Sequence, residues 1–150
     1  MRAVVLKAFG DPSNATVEEF PDPVPGPDDI LIQVLAVAAN FVDLLVIGGK
    51  YQFLPELPFV PGKAATGIVT EIGANVDPFK VGDRVLAMSE QGGYAQLLSI
   101  DQSQAYKIPD SLSFVDASSM SLVYDTAWFA MFERGRLQAG ETALVLGASG

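Results

Sequence analysis

Hydrophobic and polar positions alternate in short runs over the first hundred residues and then change to helical spacing. Residues 2–8 are β-branched and apolar, residues 16–20 alternate, and residues 28–38 carry a longer run through Ile30, Ile32, Val34 and Val37. A period of two bounded by turn residues predicts strands at all three. Further strands are predicted at 66–72, 84–88, 94–99 and 105–108, with turns at Gly73-Ala74-Asn75, Val81-Gly82-Asp83 and Gly92-Gly93. Between the second and third strands, Pro21-Asp22-Pro23-Val24-Pro25-Gly26-Pro27 fixes φ at four prolines and removes their backbone donors. That run predicts an extended, exposed connector, and it also has the composition of a polyproline ligand. The first part of the chain therefore reads as a compact, mainly β, barrel-like module.

After Pro109 the period lengthens. Ser113-Phe114-Val115-Asp116 has the form of a capping box and predicts a short helix. A second helix is predicted over 122–134, with Val123, Ala127, Ala130 and Met131 at helical spacing and Gly135 as its stop. Residues 141–146 then read as a fully buried strand, followed at once by Gly147-Ala148-Ser149-Gly150. A buried strand entering a glycine-rich turn is how a dinucleotide-binding βαβ unit opens, and it is also an ordinary tight turn. A doubly wound domain needs several such units, so the pattern reads as the front part of a longer protein.

Composition removes whole classes of chemistry. The 150 residues include no cysteine and no histidine, which excludes disulfide scaffolds, His- or Cys-based metal centres and Ser-His-Asp machinery within them. We therefore assign no metal ligand. Nine basic against eighteen acidic residues leave a net charge of −9, the wrong sign for a phosphate backbone, so no nucleic-acid partner is expected. The longest apolar runs, 34–39 and 127–132, fall far short of the ~20 residues that cross a bilayer, and the start of the chain lacks a signal-peptide core. A cytoplasmic protein without membrane partners is expected. With 49% hydrophobic residues and a mean hydropathy of +0.31 the chain has ample material for a core.

A series of short motifs carries a resemblance. In order they are Ala39-Asn40-Phe41-Val42-Asp43, Gly49-Lys50-Tyr51, Leu57-Pro58-Phe59-Val60-Pro61-Gly62, Gly67-Ile68-Val69 and Val81-Gly82-Asp83-Arg84-Val85. Gly92-Gly93-Tyr94-Ala95, Ile108-Pro109, Tyr124-Asp125-Thr126-Ala127-Trp128 and Gly140-Glu141-Thr142 continue the series to Gly147-Ala148-Ser149-Gly150. Their order and spacing resemble the medium-chain dehydrogenase/reductase superfamily, in its zinc-independent quinone oxidoreductase and enoyl reductase branch. The resemblance implies a GroES-like module over 1–121, then a connecting helix and first strand of a Rossmann domain over 122–150, with the active site in the cleft between the two. It also implies NADPH as cofactor and a homodimer or tetramer in the full-length protein. Zinc-dependent members hold their metal with a cysteine where this chain has Asn40 and a His-Glu pair where it has Lys63 and Ala64, none of which supplies a zinc ligand set.

Without a Lewis acid, a conjugated acceptor is the easier substrate, because hydride arrives at carbon and the charge spreads onto an oxygen that hydrogen-bond donors can hold. The expected activity is thus hydride transfer from NADPH to a quinone or another α,β-unsaturated carbonyl. An enoyl thioester reductase is the nearer alternative, and a GroES-like binding or trafficking protein without turnover is the alternative of another class. By resemblance, Tyr51 lies at the cofactor and serves as proton donor, which suits a phenol that stays protonated at neutral pH. Asn40 is placed either as a donor to substrate or ribose or as a helix N-cap, and Thr126 either at the nicotinamide amide or as a cap. Gly147, Ser149 and Gly150 are expected along the pyrophosphate. Asp43 is expected to bond locally to backbone, and Lys63 to be solvated or else to attract the cofactor phosphates. Asp125 is expected to put a negative charge near the nicotinamide pocket, where it helps a helix N-terminus or alters substrate choice. Trp128, Phe129 and Phe132 are expected to pack in a core or between domains.

Overall fold

The structure, a computed structural model, describes residues 1–147. Strands β1 (Arg2–Leu6) and β2 (Ala15–Glu19) form an antiparallel pair. The main sheet contains β3 (Asp29–Val37), β4 (Ala65–Ile72), β5 (Arg84–Ala87), β6 (Leu97–Asp101) and β7 (Ala105–Lys107) in the order β6-β3-β4-β5-β7, antiparallel throughout. Its core gathers Ile30, Ile32, Val69, Phe79, Val85 and Ile100. Single bridges from Ala3 to Ala95 and from Leu6 to Phe59 tie the small pair to the rest. The proline connector has no regular structure, as its lost donors dictate.

The sheet curls without closing. Strands β6 and β7 lie at opposite edges, yet only the turn Gln102–Gln104 separates them in sequence. Three residues span roughly 10 Å, so the edges must curve toward each other. Among the described residues no ladder joins them, and the barrel-like expectation is corrected to an open, strongly curved sheet. Two register shifts between β3 and β4 supply part of that bend.

The largest departures lie after residue 110. One continuous helix, α2 (Phe114–Trp128), replaces the two expected, and the π-helical stretch Phe129–Arg134 extends it. The 121/122 division expected between domains falls inside this helix. Ser113 caps it as its motif predicts, its Oγ accepting from the Asp116 N–H at 3.0 Å. Small residues face the sheet: Ala117, Ser118 and Ser121 are buried. The two serine hydroxyls donate to carbonyls of their own helix and so bring no unpaired donor inside. Trp128, Phe129 and Phe132 are exposed instead of core, because the helix has run past the sheet by then and is exposed on all faces from 123 to 130. Asp125 lies near the C-terminal end of α2, not at a helix start. Gly135 ends the π stretch in right-handed geometry, and Arg136 takes the positive φ expected of a glycine stop.

Residues 141–146 are not a strand. Leu144, Val145 and Leu146 are 84%, 65% and 83% exposed, against the buried strand expected. A strand that is buried on both faces needs neighbours on both edges, and the described chain offers it none. Gly147 has φ +70, whereas Ser149 and Gly150 lie outside the described residues. No described helix is long and apolar enough to cross a membrane.

Candidate active site

The segment 60–64 holds the centre of the site. Its backbone pairs with the segment 89–94: Gly92 N–H donates to Val60 O at 2.7 Å, Tyr94 N–H to Pro61 O at 2.9 Å, and Gly93 N–H to Gly62 O at 2.9 Å. Gly62 is required twice over, since its φ is +98 and a Cβ there would lie 2.6 Å from the Tyr94 ring. Ala64, buried beneath it, adopts φ +59, a left-handed conformation that costs an L residue about 1–2 kcal/mol. Rigid pairing on both sides holds that strain in place and fixes the direction of the neighbouring Lys63.

Lys63 is not the solvated charge expected from sequence. Its side chain is only 7% exposed, pairs with Glu90, and sets Nζ 5.2 Å from the centre of the Tyr51 ring. Tyr51 in turn packs on Leu6, Val46, Ile47 and Phe59, so apolar contacts and the ammonium hold its ring. A cavity of ≈ 290 Å³ opens here, walled by Val42, Met88 and Leu122, with Tyr51, Ser89 and Thr126 as its hydroxyl groups. Ser89 Oγ is buried without a hydrogen-bond partner among the described residues. Such an orphan costs free energy unless a ligand or water satisfies it. Thr126 is exposed in the last turn of α2, donating to Leu122 O at 2.8 Å; this rules out the N-cap and leaves its oxygen free to accept.

Asn40 stands outside the lining of that cavity. It is the N-cap residue of α1 (Phe41–Ile47), its N–H donating to the Asp43 carboxylate at 2.9 Å and its amide to Ala38 O at 3.3 Å. Asp43 is buried and takes the local backbone bond expected of it from Asn40, and it also accepts from the distant Tyr94 hydroxyl at 2.8 Å. Burial first, then the Asp43 hydrogen bond and charge, push the Tyr94 phenol well above its ordinary range. A folded-state pKa raised above the unfolded value contributes stability below the unfolded value, roughly pH 10, that is lost as pH rises past it. The expected result is that Tyr94→Phe flattens the alkaline fall in stability and costs about 1.5–3 kcal/mol at neutral pH, where it leaves Asp43 one donor short. Urea unfolding between pH 7 and 11 reads both effects.

The hydroxyls and apolar walls of the cavity fit the nicotinamide end of a dinucleotide, a flat ring carrying one amide. Sequence reasoning found Tyr51 and Thr126, which the fold brings together, and missed Ser89 and Glu90. Only a Ser-Glu pair ahead of Gly92-Gly93 marked those two, and no periodicity or motif distinguishes such a pair.

The family described as alcohol dehydrogenase GroES-like domain matches residues 26–110, more than half of the chain. The chain belongs to this family. Over 150 residues it is 39% identical to a quinone oxidoreductase-like protein 2 homolog of Nematostella vectensis, covering 99% of this chain and 41% of the relative. It superposes on the human synaptic vesicle membrane protein VAT-1 homolog-like protein with TM-score 0.90 and 35% identity, over 93% of this chain and 45% of that one. The Escherichia coli quinone oxidoreductase complexed with NADPH gives TM-score 0.85 and 28% identity, over 89% of this chain and 41% of that one. The chain thus spans less than half the length of these relatives, and its family membership rests on the matched GroES-like part.

Proposed function

We propose that this GroES-like chain forms the substrate-side half of a zinc-independent, NADPH-dependent reductase of quinones or other α,β-unsaturated carbonyls. The observation that carries the reading is the cavity in which the partnerless Ser89 hydroxyl meets Tyr51 and Thr126 against apolar walls. The similarity to quinone oxidoreductases, one of them complexed with NADPH, supports it. When bound, the reduced nicotinamide supplies the hydride. Val42, Met88 and Leu122 would shield the ring from water, with Ser89 as a donor and Thr126 as an acceptor for its amide. Tyr51 gives a proton to the reduced substrate. Asn40 shapes the entry of α1, and through it Val42, without touching the cavity itself.

The same reading proposes that 122–150 leads into a Rossmann domain, with Gly147, Ser149 and Gly150 toward the pyrophosphate. The exposed Trp128, Phe129 and Phe132 would then pack between domains, and self-association would run through surfaces beyond this chain. The test is NADPH oxidation by the full-length protein with a simple benzoquinone and, separately, with a crotonyl thioester. Turnover with the quinone is expected. Turnover with the thioester alone would replace this reading by the enoyl reductase, and turnover with neither acceptor, from NADPH or NADH, by a GroES-like binding or trafficking protein without turnover.

A further inference from the structure

We propose that Lys63 is the charge that receives the substrate oxygen, with Glu90 as its displaceable counterion, and that the substrate is a mainly apolar molecule with one conjugated oxygen at that point. The inference rests on the hydride-transfer reading above. Its first observation is position. Lys63 and Glu90 line two cavities at once: the ≈ 290 Å³ space with Tyr51 and Ser89, and a neighbouring space of ≈ 420 Å³. The second space is walled by Val46, Phe53, Leu54 and Pro55, an apolar surface suited to the body of a substrate. The ammonium therefore borders both the place for the nicotinamide ring and the place for the acceptor.

The second observation is an asymmetry of burial. The Lys63 side chain is 7% exposed and the Glu90 side chain 78%. A buried ammonium needs a negative partner, because desolvating a lone charge is costly. A solvated carboxylate can swing into water at little cost, and an ammonium keeps three donors for whatever replaces it. The site is thus neutral at rest and presents a positive charge once an anion forms in the cavity. In a water-poor space such a charge stabilises a developing oxyanion more than it would in solution. Tyr51 and Glu90 are the other titratable groups on these walls.

The step balances. A C–H bond of the reduced nicotinamide breaks, and its hydrogen and electron pair form a new C–H bond at the conjugated carbon. The displaced π pair moves to oxygen and gives an enolate at Lys63. One proton from Tyr51 then completes the neutral product, Tyr51 regains a proton from solvent, and the nicotinamide leaves oxidised by two electrons.

The test uses 4-nitrophenol, whose phenolate and phenol absorb at different wavelengths, titrated into the full-length protein and its Lys63→Met, Lys63→Arg and Glu90→Gln variants. The wild type is expected to bind the phenolate in preference and to ionise the bound phenol at lower pH than in solution. Lys63→Met should weaken phenolate binding about tenfold and abolish that preference, as loss of one hydrogen bond to a charged group implies. Lys63→Arg should restore most of it. Glu90→Gln should tighten it, which supplies an independent result if the methionine variant fails to fold. No phenolate binding by the wild type, equal binding by a folded Lys63→Met protein, or unchanged or weaker binding by Glu90→Gln would overturn the proposal. Phenolate binding that follows Lys63 in a protein inert toward NADPH and quinone would leave the anion site standing and remove the hydride-transfer reading alone.

Discussion

Full-length protein carrying Tyr51→Phe is expected to lose turnover by about 10²-fold or more, the usual contribution of a positioned acid, while its unfolding midpoint stays in place. The two halves of that result have separate causes. The ring of Tyr51 packs on Leu6, Val46, Ile47 and Phe59 beneath the Lys63 ammonium, and phenylalanine keeps every one of those contacts. Only the hydroxyl is removed, from a group that apolar packing already holds. Stability should therefore change by no more than about 0.5 kcal/mol. Turnover falls because the enolate left by hydride transfer loses the proton that Tyr51 would deliver. Steady-state kinetics with NADPH and a quinone, beside thermal unfolding of the same samples, reads both. Normal turnover and normal NADPH affinity in the phenylalanine variant would remove Tyr51 from both its roles.

Gly67→Ala is expected to cost about 3 kcal/mol or more, at the upper end of what overpacking does. A Cβ at Gly67 would lie 1.9 Å from the Gln33 carbonyl oxygen and 2.8 Å from Ile32 Cγ2. The atom in the way is backbone, in the register that pairs Val34 with Gly67 at the centre of the sheet, so no side chain can yield to make room. Relief requires parting β3 from β4, which also carries the site's rigid base. Gly82→Ala is the matched control. Its added Cβ meets nothing within 4 Å, and only the positive φ of +93 opposes it, at about 1–2 kcal/mol. Chemical denaturation of the two variants should rank them in that order. Equal costs would mean that β3 and β4 part easily at 67, and that their close approach does not decide the need for glycine there.

The strands were legible because their signal is local. Alternation in 28–38 and 66–72, with turn residues on either side, places β3 and β4 to within a residue or two. The capping box at Ser113 was equally local, since acceptor and donor are three residues apart. Lys63 shows where local reading ends. Every generic rule puts a lysine beside a glycine turn in solvent, yet the antiparallel pairing of 60–64 with 89–94 turns it inward, beside a tyrosine twelve positions earlier. Ser89 became visible only through the same pairing, because being without a partner is a property of surroundings and not of residue type.

Helix α2 reverses the usual expectation for a different reason. Helical spacing placed Trp128, Phe129 and Phe132 in a core or between domains, but the sheet meets only the first half of α2, at Ala117, Ser118 and Ser121, and leaves the aromatics exposed. Residues 141–146 carry the composition of a buried strand and remain exposed, since composition cannot supply the neighbouring strands that would bury it.

By itself the sequence determined the strand succession, the turns, the acidic charge, the lack of histidine and cysteine, and the motif series of the family, because each is set by residue type and spacing along one segment. Only the tertiary structure decided that the sheet stays open and that Tyr51, Lys63, Ser89, Glu90 and Thr126 share one place. Those outcomes depend on which distant segments pair and how closely they approach. A charge or hydroxyl acquires its chemistry from the dielectric and the partners that such pairing creates.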